Sequence, residues 1–150
     1  MGTRSTYRII ETSKNRDGKL VRKMLVLVYV QFDGYPEGHP KEIAKWLSTG
    51  KVVNGISLLD KGLIFNGAGC LAAQFVGKMK DGAGGVYIEP LSSRGHSDEE
   101  YLYDIVVNSD TKSITYICYE NYGKRSKKLF EGSPNEFNAF LVKFQEKENA

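Results

Sequence analysis

YLYDIVVNSDTKSITYICYE, residues 101–120, decides the fold class. It holds two runs rich in β-branched and aromatic residues, 101–108 and 113–120, parted by Ser-Asp-Thr-Lys. Such runs favour strands, and a short polar break between them is a hairpin turn. The N-terminal segment repeats the pattern. TYRIIE (6–11) and LVRKMLVLVYVQF (20–32) flank KNRDG (14–18), where Asp17-Gly18 favours positive φ. MLVLVYV within the second run is apolar on both faces, as a central strand requires. AGGVYIEP and KKLFEG add two further short strands.

Helical spacing appears in other segments. Pro40 opens a helix over 40–48, with Ile43, Trp46 and Leu47 on one face and Gly50 as the stop. After FNGAG (65–69), the residues Ala68, Leu71, Ala72, Phe75, Val76 and Met79 form an apolar stripe, with Asn66 as N-cap. Ser133-Pro134-Asn135-Glu136 is a capping box heading a helix with Phe137, Phe140, Leu141 and Phe144 on one face. Residues 51–64 read as a short strand or an extended loop, and 91–100 as a polar loop. No βαβ repeat occurs. Strands that arrive as hairpins predict an α+β domain, an antiparallel sheet of about five or six strands with helices against it. Its span is residues 1–145, with 146–150 a frayed tail.

With 150 residues, 41% hydrophobic and 26% charged, the chain suits one ordinary globular domain. Lys and Arg (21) barely exceed Asp and Glu (18), which speaks against nucleic acid as a partner. No apolar run approaches the ~20 residues that cross a bilayer, so no membrane partner is expected. Cys70 and Cys118 lie in apolar contexts and read as reduced thiols of a cytosolic protein. Gly2 and Thr6 fit the permissive myristoylation pattern, and equally a lead into the first strand.

The candidate binding residues fall in a few places. A helix that starts at FNGAG exposes unpaired N–H groups, and glycines let a phosphate or carboxylate approach them. Asn66, Gly67, Ala68 and Gly69 form that seat; alternatively, the glycines permit close helix packing. DGYPEG (33–38) leaves the end of a buried strand. Asp33 offers an acceptor to a ribose or amine and Tyr35 a stacking ring, or the segment is simply a good turn. Arg4 lies where hairpin pairing brings it beside Asp33, as a phosphate fork or a plain salt bridge. KDGAGG (80–85) either covers a ligand or reverses the chain. Cys70 has no spaced histidine partner in His39 or His96, and no paired Cys/His spacing suggests a metal. GKRSKK (123–128), just after Tyr119 and Tyr122, reads as a solvated edge or a nucleic-acid contact, with the edge favoured.

GTRS (2–5), QFDGYPEG (31–38), VVNGI (52–56), FNGAGCLAAQ (65–74) and KDGAGGVYI (80–88), in that order, resemble a family of small proteins of bacteria, tailed phages and large DNA viruses. The resemblance covers roughly residues 2–120. It implies an accessory protein of a mobile element or virus, working in the host cytoplasm. Together the readings predict a non-enzymatic binder of a small anionic, nucleotide-like ligand without cofactor, one that sequesters a nucleotide immune signal in an anti-defence role. The alternatives are a host-protein interaction module, with the aromatic and basic C-terminal third as its face, and a small hydrolase using Cys70 or Asp33. A homo-oligomer with pockets completed across subunits is a further expectation.

Overall fold

The computed structural model describes residues 2–93, 98–122 and 125–148. Among the described residues, eight strands form in chain order: β1 (Ser5–Lys14), β2 (Leu20–Val30), β3 (Gly50–Val53), β4 (Leu63–Asn66), β5 (Val86–Glu89), β6 (Tyr101–Asn108), β7 (Ser113–Tyr122) and β8 (Arg125–Gly132). The helices are α1 (His39–Ser48), α2 (Gly67–Met79) and α3 (Phe137–Glu148), the last led in by a 3-10 turn at Pro134–Glu136. The fold is α+β. A mostly antiparallel sheet of six strands, ordered β5-β2-β1-β6-β7-β8, carries the helices, and β3-β4 form a separate parallel pair. The segment 51–64 thus supplies most of β3 and the first half of β4, which ends at Asn66 inside FNGAG. At the other end, α3 runs to Glu148, beyond the expected limit of the domain at 145.

Both hairpins form as read. β1 pairs β2 from Ser5↔Val30 to Lys14↔Leu20, and β6 pairs β7 from Tyr101↔Glu120 to Asn108↔Ser113. The sequence does not show the join between them: β1 and β6 pair in parallel, in register from Ser5↔Tyr101 to Thr12↔Asn108. Two antiparallel units therefore meet along a parallel seam at the middle of the sheet. A parallel seam needs cover on both faces.

Helices cover the first face. Tyr7, Ile9, Val28, Val30, Tyr103, Ile105, Val107, Tyr116 and Cys118 of the sheet join Leu71 and Phe75 of α2, Ile43 and Leu47 of α1, and Phe137 and Leu141 of α3 in one buried cluster. Each such aliphatic side chain contributes roughly 1.5–3 kcal/mol when removed from water. The capping box at α3 forms in part as expected, with Ser133 N–H donating to Glu136 Oε1 at 2.9 Å.

On the second face, Thr6, Leu27 and Asp104 are fully buried. Register places Arg8 opposite both Leu27 and Asp104. Its guanidinium grips Asp104 with two bonds, Nε to Oδ1 at 2.6 Å and the terminal nitrogen to Oδ2 at 2.8 Å. Arg22 approaches the same carboxylate at 3.6 Å, and Arg8 lies 6.0 Å from the Tyr119 ring centroid. Two arginine stems thus roof the seam. Removing one partner of a buried pair strands the other charge. Asp104→Ala is accordingly expected to cost about 3 kcal/mol in urea unfolding, and pairing it with Arg8→Met to recover most of that loss.

Candidate functional site

The sequence-selected residues do not converge on one pocket. Arg4, Asp33 and Tyr35 lie where β1 begins and β2 ends, since Ser5 pairs Val30. Asn66 and Gly67 share a cleft with Glu11, well along β1. Arg4 and Glu11 are separated by about 20 Å of extended strand at ~3.3 Å per residue. The expected site is therefore two places, one at each end of the sheet.

At the first place, the structure favours the turn reading. Tyr7, Tyr103 and Tyr116 stack across β1, β6 and β7, with centroids 5.1 and 5.9 Å apart. Each hydroxyl is spent on the segment 34–40. Tyr103 donates to Gly34 O at 2.7 Å, Tyr116 donates to Pro40 O at 3.0 Å, and Tyr7 shares a 2.7 Å bond with His39 Nδ1. Burial raises all three phenols well above the usual value of 10, so they stay protonated. Gly34 packs so closely on Ser5 that a Cβ there would lie 2.5 Å from the serine Cβ, and a Cβ on Gly38 would collide with the Asp33 carbonyl. Asp33 itself takes φ +51°, and its carbonyl accepts the His39 N–H at 3.1 Å. Arg4 pairs with Asp98 at 3.3 Å, not with Asp33. Asp98 also takes the Tyr29 hydroxyl, so the return of the chain to β6 supplies the partner that the hairpin alone suggested would be Asp33. Tyr35 stays 40% exposed, the one member of this group that packing leaves unexplained.

The second place is the start of α2. Asn66 occupies the N-cap position, yet no side chain caps the helix. The Asn66 Oδ1 instead accepts the Gly55 N–H at 2.8 Å, tying the β3–β4 connection to the helix start. Gly67 has φ +84°, a conformation that favours glycine, where the chain turns from β4 into α2. Gly69 has no such need, and a Cβ on either glycine would meet nothing within 4 Å. The close-packing explanation for these glycines therefore fails. Ala68, by contrast, is a core residue.

A cleft of about 260 Å³ opens here, lined by Glu11, Asn54, Asn66, Gly67, Ser109 and Lys112 among others. The β6–β7 turn delivers Lys112. Asn108 Oδ1 accepts the Asp110 and Thr111 N–H groups, and Lys112 follows at φ +63°. A lysine held in the left-handed region is unusual and costs backbone strain. Lys112 Nζ donates to Ser109 O, and Ser109 Oγ donates to Glu11 Oε2 at 2.9 Å. Sequence reasoning missed Glu11, Asn54, Ser109 and Lys112. Asn54 sits in the VVNGI block, and Lys112 was visible only as a turn residue.

The other candidates resolve simply. Three glycines with positive φ, Gly82, Gly84 and Gly85, turn KDGAGG back on itself, and Lys80 Nζ pins the turn through Gly84 O and Val86 O. The Cys70 thiol donates to Gln74 Oε1 at 3.0 Å, and His39 is engaged with Tyr7. His96, Gly123 and Lys124 lie outside the described residues. Among the described residues, no three His, Cys, Asp or Glu gather to hold a metal, and no helix is long and apolar enough to cross a membrane. No protein family, curated protein or solved structure matches the chain.

Burial pushes His39 down to about 4, against smaller opposing pulls from the Phe32 backbone and Asp33. The folded protein therefore keeps His39 neutral while the unfolded chain takes up a proton below ~6.5. Stability from this residue is complete above pH ~6.5 and declines as pH falls towards 4, by up to about 3 kcal/mol. Urea midpoints measured across that range should show the decline in the wild type and a flatter profile in His39→Gln.

Proposed function

We propose that this chain is a non-enzymatic binder of a small anionic ligand of nucleotide type, seated at the start of α2. The observation that carries the reading is Gly69. Glycine in a helix costs about 1 kcal/mol relative to alanine. Here neither packing nor backbone angle requires it, because a Cβ would meet open space. Gly77 on the same helix is equally unhindered, so Gly69 counts through its place in the first turn, where a missing side chain lets a ligand reach uncapped N–H groups that favour an anion.

The lining narrows the ligand. Lys112 and the helix start suit one phosphate or carboxylate, whereas Glu11 in the same cleft repels a second. Glu11 and the amides of Asn54 and Asn66 suit hydroxyl and amine donors. A phosphorylated sugar or nucleotide presents both kinds of group. At about 260 Å³ the cleft sits near the lower bound for ligand pockets, a size for one such unit. In the phage or viral setting that the sequence resemblance implies, holding a nucleotide would withhold a host immune signal without destroying it.

Native mass spectrometry of protein purified gently from its host, before and after denaturation, tests this directly. Release of a small anion is expected. Lys112→Glu should lower affinity for that anion at least tenfold. Gly69→Ala should raise unfolding stability by about 0.5–1 kcal/mol while weakening binding. Unchanged affinity in both variants would place the seat elsewhere.

A second reading, an interaction module, has its own support. Ile56, Leu58 and Leu59 in the β3–β4 connection are 73%, 105% and 87% exposed. Contiguous exposed aliphatics mark contact surfaces. An empty protein in the mass spectrum shifts the weight to this reading.

A further inference from the structure

The groove between β8 and α3 gathers four lysines. Lys127 and Lys128 reach it from β8 and Lys143 and Lys147 from α3, enclosing about 540 Å³ with Phe140 and Phe144. β8 is a sheet edge. Lysines on an edge are normally explained as a guard against strand-to-strand association. That accounts for Lys127 and Lys128. It does not account for Lys143 and Lys147, one turn apart on α3: Lys147, in the last turn, suits the negative end of the helix, but Lys143 lies ahead of that turn and repels it. All four side chains belong to exposed residues. Among the described residues, only Lys128 of the four makes an ion pair, with Glu131. One acid, Glu120, lines the groove.

The apolar part has a direction. Tyr116 packs edge-on against Phe137 at 5.0 Å, Phe137 meets Phe140 at 5.4 Å, and Phe140 stacks on Phe144 at 5.5 Å and 28°. The row begins in the core and ends at Phe144, which is half-buried. Phe140 is the one ring that meets Phe144 among the described residues. A planar group would continue the row there.

We infer that this groove binds single-stranded nucleic acid, with one base stacked on Phe144 and the flanking phosphates on Lys127, Lys143 and Lys147. A single strand supplies a free base face and regularly spaced phosphates together. The near-even overall charge conceals the site: Lys127 and Lys128 belong to the basic stretch 123–128, and folding brings Lys143 and Lys147 of α3 beside them. The ligand and the place both differ from those proposed at α2.

The test is fluorescence anisotropy of the full chain with a labelled oligothymidylate of about twelve nucleotides, titrated across salt. Binding is expected to weaken with salt at a slope of about −0.7 per phosphate engaged. The pair Lys143→Gln and Lys147→Gln, both exposed and safe for folding, should lose at least tenfold in affinity and about 1.4 in slope. Phe144→Leu should weaken binding about tenfold and leave the slope unchanged. Lys112→Glu, which weakens the cleft at α2, should leave the oligonucleotide affinity and slope as they are, which separates the two sites. Several results would overturn the inference: no binding at ~50 mM salt, full affinity in the double lysine variant, or no effect of Phe144→Leu. Full competition by equimolar ATP would do so as well, by assigning the groove to a mononucleotide. Binding to phosphatidylserine vesicles with none to the oligonucleotide would assign it to a lipid surface.

Discussion

The stacked tyrosines at positions 7, 103 and 116 are the constraint on which the rest of the structure depends. They come from β1, β6 and β7, and so they span the parallel seam where the two hairpin units join. Their rings fill the core under α2, with Phe75 4.8 Å from Tyr7. Their hydroxyls fasten the crossing from β2 to α1 at Gly34, His39 and Pro40. A buried phenol must find a partner. Here satisfying three of them fixes where α1 begins and how it leaves the sheet. The backbone at Gly34 and Pro40 and the His39 ring are thereby committed to architecture at the end where Arg4 also lies, while the Tyr35 ring stays exposed.

That commitment frees the opposite end. β3 and β4 pair in parallel beside the start of α2, and the Asn66 side chain is used to hold Gly55 instead of capping the helix. The result is a helix start without a cap, facing the strained Lys112 of the β6–β7 turn.

The elements were legible because their signals are local. The Asp17-Gly18 and Ser109–Lys112 turns, Pro40, and the Ser133–Glu136 box each fix a boundary within a few residues. The parallel seam was not legible, because nothing in TYRIIE or YLYDIVVN records which strand lies alongside or in which direction. The same gap broke the expected site. Hairpin logic placed Arg4 beside Asp33 correctly in rough position, but the chain returning to β6 brought Asp98 in as the partner. FNGAG was rightly singled out as a helix start, yet its neighbours across the cleft, Glu11 and Lys112, come from distant turns and strands. Glycine placement allows packing and ligand approach equally in a sequence. The open space around Gly69 removes the packing explanation.

The most direct test follows the backbone amides of Gly67, Ala68 and Gly69 by NMR while a nucleoside monophosphate is added. A ligand seated at the start of α2 would give concerted shifts at these amides, at Asn54 and at Lys112, with Arg4, Asp33 and Tyr35 unmoved. Shifts centred on Asp33 and Tyr35 with α2 silent would contradict it, and would return the binding role to the tyrosine-held turn.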